Sequence, residues 1–143
     1  MALHPPERSA RVALARAFEA AVNAHDLAAI EALVSPAYIE HQGMAEPMVG
    51  SEAVRGTFEA LYAAFPDYRI DLEDVIVDGD RIAMRATQRG TQSGPLGPMP
   101  ATGRSMEVLT IDIVRVEDGQ FAEHWGLGDV ETMARQLGWT DGA

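Results

Sequence analysis

The 143 residues contain neither cysteine nor lysine. Without cysteine, disulfides, thiolate nucleophiles and cysteine-held metals are excluded. Without lysine, carbonyl chemistry has to proceed without a Schiff base, since all eleven cations are arginines. Proton transfer is left to carboxylates and imidazoles. There is no serine nucleophile elbow, no P-loop and no GxGxxG. No histidines stand at HxH or HExxH spacing, so the expectation for a metal is none. No apolar run approaches the roughly 20 residues that span a bilayer. Residues Met1 to Arg11 lack the basic region and apolar block of a signal peptide, so the expected location is the cytoplasm.

Hydrophobic residues make up 47% of the chain, as in globular proteins, and its length suits a single domain over 1–143. A formal charge of −11 argues against nucleic acid and anionic membranes as partners. A small ligand remains.

Read in order, the first half is helical. Pro5 and Pro6 suit a first turn, and Val12, Leu14, Phe18, Ala21 and Val22 recur at helical spacing, predicting a helix from about Pro6 to Ala24. Asp26 caps a short helix over Leu27–Leu33, which Ser35-Pro36 stops. Tyr38–Gln42 reads as a short extended piece ending in His41, and Gly43–Gly50 as a loop carrying Met44 and Met48. Ser51 is the expected cap of a third helix with Val54, Phe58, Leu61, Tyr62 and Phe65 on one face.

From Tyr68 the period changes to two. Tyr68, Ile70 and Leu72 alternate with charged residues, then the phase flips to Val75 and Val77, as a β-bulge near Glu73-Asp74 produces. Asp78-Gly79 and Asp118-Gly119 are hairpin signals. Between them lie strands Arg81–Gln92 and Ser105–Glu117, joined by Ser93–Gly103, a proline- and glycine-rich loop and candidate lid. The last strand is Gln120–Asp129, and Asp129 caps a final helix over Val130–Leu137 that Gly138 ends. Helices followed by a hairpin-built sheet predict an α+β fold with helices on one face.

Chemistry concentrates in the last two strands. Val108, Thr110, Asp112, Val114 and Val116 share one face, so Asp112 sits among valines and needs a partner or a raised pKa. An ion pair with Arg85 or Arg115 supplies that partner equally well. His124 and Trp125 face opposite sides of a regular strand, so only one enters a given pocket. His124 suits a catalytic or a structural role alike; Trp125 suits core packing better than ligand stacking. Asp129 is a helix cap or an ionised base, and the roles are compatible. His41 ends its strand in a polar tip and meets His124 in space if the two strands adjoin. Met44, Met48, Met84, Met99 and Met106 suit core filling or a pocket for a flat apolar molecule.

These segments resemble the SnoaL-like polyketide cyclases of the nuclear transport factor 2-like superfamily. The matching pieces are Asn23-Ala-His-Asp26, Tyr38-Ile-Glu-His41, Ala64-Phe-Pro-Asp67, Asp78-Gly-Asp-Arg81, Gly90-Thr-Gln-Ser-Gly94 and Pro100-Ala-Thr-Gly-Arg104. Asp112-Ile-Val-Arg115, Asp118-Gly119, Glu123-His-Trp125, Asp129 and Gln136-Leu-Gly138 complete the set in order. The resemblance implies a cone-shaped α+β barrel: three N-terminal helices on a curved, mostly antiparallel sheet, a short C-terminal helix and a ligand cavity within. It implies ring closure by intramolecular aldol condensation with no cofactor. By motif Asp129 is then the acid/base, helped by His124, with His41, Asp112, Trp125 and Thr110 as substrate-binding candidates. Expected partners are a small apolar or polycyclic ligand and a second copy, as homodimer or homotetramer through the Leu109/Ile111/Ile113 sheet face. The same fold also suits a dehydratase, an isomerase, an epoxide hydrolase or a non-catalytic binder of apolar ligands.

Overall fold

The chain is described by a computed structural model covering residues 3–42 and 46–140. Helix α1 (Pro5–Asn23) and helix α2 (Leu27–Ala32) come first, and the Asp26 side chain accepts from Ala29 N at 3.0 Å to cap α2. Strand β1 (Val34–Glu40) follows, then the two-residue strand β2 (Met48–Val49) and helix α3 (Ser51–Ala64). Strands β3 (Arg69–Asp78), β4 (Arg81–Thr91), β5 (Ser105–Glu117) and β6 (Gln120–Gly128) form the large part of the sheet, and α4 (Val130–Leu137) closes the chain. The residue before α3 is Gly50, at φ 109°, and Ser51 is already helical, one position later than a serine cap requires. The expected loop at Gly43–Gly50 contains β2, which pairs with β1; Met44 lies outside the described residues.

The six strands run in the order β2-β1-β6-β5-β4-β3. All neighbours are antiparallel except β1 and β6, which are parallel because α3, β3, β4 and β5 intervene in sequence before β6 adds beside β1. The sheet is therefore mixed, and with β2 and β3 as its two edge strands it is a wrapped sheet, not a closed barrel. Register shifts bend it at three places: Leu72/Asp74 in β3, opposite Arg115/Val116 in β6, and Val34/Ile39 in β1. The first is the bulge that the phase flip predicts. The two Asp-Gly turns are tight hairpins, with Gly79 at φ 59° and the Asp118-Gly119 pair at 51° and 74°.

One face of the sheet carries Leu72, Met84, Ala86, Val108, Val114 and Phe121, buried under α1 and α3. On the other face Ile76, Leu109, Ile111, Ile113 and Leu127 are exposed. The edge strand β3 is not left open. Asn23 on α1 donates to Ile70 O and accepts from Ile70 N, both at 2.8 Å. Leu72 N donates to Glu19 at 2.6 Å, Arg16 donates to Leu72 O, and Arg8 donates to Val77 O. The polar side of α1 thus takes up backbone groups that would otherwise recruit another strand.

Candidate active site

Between the bent sheet and the helices lies a cavity of about 380 Å³. Phe18 of α1, Phe58 and Leu61 of α3, Leu96 of the β4–β5 loop and Met133 of α4 supply apolar walls. Met48, Met84 and Met106 line it as well. Its ionisable carboxyl and imidazole groups gather where β1, β5 and β6 adjoin.

Period-two geometry brings them there. Asp112 and Thr110 point inward from β5, opposite Gly126 and Gly128 of β6, and Val114 lies opposite His124. On β1, Tyr38 and Glu40 share the inward face, and Gln42 continues the row into the cavity lining. His124 lies between two carboxylates: Nε2 is 2.7 Å from Asp112 Oδ1, and Nδ1 is 2.7 Å from Glu40 Oε2. Tyr38 donates its hydroxyl to Glu40 at 2.7 Å, and Thr110 donates to Asp112 Oδ2 at 3.0 Å. The row Tyr38–Glu40–His124–Asp112–Thr110 is one continuous hydrogen-bonded chain.

Burial alone pushes the His124 imidazole toward neutrality. Hydrogen bonds to Asp112 and Glu40 outweigh it, aided by the charges of both, and raise its pKa from 6.5 to about 9. At neutral pH both ring nitrogens therefore donate. Burial and the neighbouring Glu40 also hold the Tyr38 phenol far above its ordinary range, so it stays a donor. Among the described residues no group of three or more histidine, aspartate or glutamate side chains converges in the manner of metal ligands.

Gly126 makes this cluster possible. A Cβ there would stand 2.4 Å from Asp112 Oδ1, 2.7 Å from His124 Nε2 and 2.9 Å from Gln42 Oε1. Any side chain would enter the space where the carboxylate and imidazole meet.

The candidates from sequence are divided between the two sides of the sheet. His124, Asp112 and Thr110 line the cavity. Asp112 pairs with neither arginine: Arg85 binds Asp74, and Arg115 binds Glu117 and Glu123. Trp125 and His41 lie on the outer side, with rings stacked 5.0 Å apart. Arg81 covers the indole at 4.7 Å, and His41 Nε2 binds Glu123 at 2.7 Å, holding that carboxyl below its usual range. The His41 backbone does meet His124, donating to its carbonyl at 3.1 Å, but parallel pairing sends their side chains to opposite faces. Strand alternation thus places His41 and Trp125, both expected as substrate contacts, outside the cavity that His124 lines. Asp129 is exposed and caps α4, accepting from Thr132 N at 3.1 Å and Thr132 Oγ1 at 2.7 Å. Those bonds hold its carboxyl below the usual range, and it does not line the cavity, although its neighbours Gly128 and Val130 do. Glu40 and Tyr38 join the site without having been expected from motif or spacing. Their signal was available, since Tyr38, Glu40 and Gln42 alternate with His41 in the same extended piece.

The family model of the SnoaL-like polyketide cyclases matches residues 12–137. TsrD from Streptomyces laurentii is 34% identical, with 93% of this chain and 98% of that chain covered and a TM-score of 0.85. IdmH, a proposed polyketide cyclase from Streptomyces antibioticus, is 31% identical over 94% of this chain and 99% of its own, with a TM-score of 0.77. An epoxide hydrolase of the LEH-like type from M. tuberculosis shares the fold alone: 12% identity, 90% of each chain, TM-score 0.72. No curated protein matches the chain significantly in sequence. Matched over most of its length, the chain belongs to the SnoaL-like polyketide cyclase family.

Proposed function

We propose that this protein is a cofactor-independent cyclase that closes a ring by intramolecular aldol condensation. Asp112 is the base and protonated His124 the proton donor. The observation that carries this reading is the placement of Glu40, His124 and Asp112 together in a mostly apolar cavity. The role that motif resemblance gives to Asp129 passes to Asp112, because a base has to reach its proton before its pKa matters.

The reaction needs little more than these groups. A carbon between two carbonyls is already acidic. Asp112 accepts its proton, with lone pairs left over beyond those engaged by His124 and Thr110. The enolate carbon bonds to a second ketone carbon of the same molecule, and the new alkoxide oxygen takes a proton from the His124–Asp112 pair. The proton removed from carbon balances the proton delivered to oxygen, so the product is a cyclic β-hydroxy ketone with no change of oxidation state. Glu40 keeps His124 charged, and Tyr38 fixes Glu40. General acid–base help of this kind contributes roughly 10²–10⁴-fold, and holding a floppy chain folded adds to it.

A neutral triketone poised to close a six-membered ring tests the reading. The wild-type protein is expected to accelerate closure, with the rate falling as pH rises through about 9 and His124 loses its proton. Closure at the buffer rate at every pH would refute a cyclase acting on this class of ketone.

A further inference from the structure

A second polar station stands in the cavity apart from the histidine cluster. The Tyr68 hydroxyl donates to Gln88 Oε1 at 2.9 Å, which commits the amide oxygen and turns Nε2 away from the tyrosine. Among the described residues Nε2 has no acceptor, and it is not sealed from the cavity that Gln88 lines. Burial holds the Tyr68 phenol well above its ordinary range, so the lock on the amide does not titrate near neutral pH.

Nε2 opens toward Gly128. A Cβ on Gly128 would lie 3.6 Å from Gln88 Nε2 and 3.5 Å from Thr110 Cγ2, and the absent side chain leaves a slot between them. Thr110 in turn donates to Asp112. Two residues along a strand span about 7 Å, so the amide donor lies a short step from the carboxylate. The rest of the wall nearby is apolar: Ala86, Met106 and Met133.

We infer that Gln88 is the recognition residue for a ligand oxygen: its Nε2 donates to a carbonyl or other uncharged acceptor of a flat, mostly apolar molecule seated against Gly128. The inference deepens the proposed function, resting on the cavity as the ligand site, and names the ligand class as neutral, ring-forming and ketone-bearing. An ordinary amide fixed by Tyr68 serves this better than an arginine would. It selects an acceptor without demanding a negative charge.

Paired probes of one shape isolate the contact: 9-fluorenone, which carries the ketone, and fluorene, which lacks it. Dissociation constants are measured by ligand-detected NMR for the wild type, Gln88→Leu and Gly128→Ala. One hydrogen bond is worth about fivefold in affinity, so the wild type should prefer the ketone by about that factor. Gln88→Leu should bring the ratio to about one by weakening fluorenone alone. Gly128→Ala makes only ordinary contacts and keeps the fold, yet fills the slot, so it should also weaken fluorenone. A wild type without preference, a preference that survives in Gln88→Leu, or failure to bind either probe would overturn the inference. If the ketone preference is absent while the triketone still closes, Gln88 is wrong and the acid/base reading stands. If the preference holds but the triketone does not close, the reverse is true.

Discussion

His124 keeps its proton to about pH 9 because hydrogen bonds to two flanking carboxylates outweigh the effect of its burial. The folded pKa lies above the ordinary 6.5, so the stabilisation is complete below about 6.5 and is lost as pH rises through about 9. A shift of this size corresponds to roughly 3 kcal/mol, which denaturant midpoints between pH 6 and pH 10 should reveal. In Asp112→Asn the imidazole signals should titrate at lower pH than in the wild type; titration at the same pH would show that the pair is not what holds the proton. Gly126→Ala should lower that titration too, because the added methyl would overlap Asp112 Oδ1 and push it off the imidazole. Much of this was legible at the residue scale. Alternation alone put Asp112 inward and separated His124 from Trp125. What sequence could not provide was the neighbour of β6: only the parallel pairing with β1 brings Glu40 to His124 and sends His41 to the outside.

At the scale of elements, the clearest dependence is that of β3 on α1. Asn23, Glu19, Arg16 and Arg8 are polar residues along α1, and nothing local in the sequence marks them as strand partners. Their role exists because α1 lies along a sheet edge whose alternate backbone groups face it. Asn23→Ala should remove two bonds to Ile70 and cost about 1–3 kcal/mol in chemical denaturation. An unchanged midpoint would mean that water replaces the asparagine without loss. Helix α4 offers a contrast. Asp129→Ala should cost about 1 kcal/mol as a lost cap, a purely local effect that sequence anticipates because cap and helix are contiguous. The bulge at Leu72/Asp74 and both Asp-Gly hairpins were legible for the same reason. β2 was not: two residues show no period, and their pairing to β1 is the only reason they are a strand.

Across the whole molecule, charge is distributed by side. The chain is acidic, with a formal charge of −11, and among the described residues no arginine lines the cavity, which holds Glu40, Asp112 and one imidazole. Two carboxyl groups and a single imidazole, already bound to both, line the interior, so an anionic ligand meets no spare cation there. Like charges brought together in a desolvated site cost several kcal/mol. 9-Fluorenone-4-carboxylate should therefore bind at least about tenfold more weakly than 9-fluorenone at pH 7; equal affinity would contradict a pocket with no cation to spare. Composition gave the sign of the net charge but not its placement, which depends on which face of each strand the arginines occupy. Arg81, Arg85, Arg89 and Arg115 alternate with inward residues along β4 and β5, and the sheet puts all four outside.

The location of the acid/base is tested most directly by comparing Asp112→Asn with Asp129→Asn on the same triketone at pH 7. The account predicts a loss of roughly 10²–10⁴-fold for Asp112→Asn and near wild-type closure for Asp129→Asn, whose carboxylate is exposed on the α4 cap. Full activity in Asp112→Asn with loss in Asp129→Asn would contradict it.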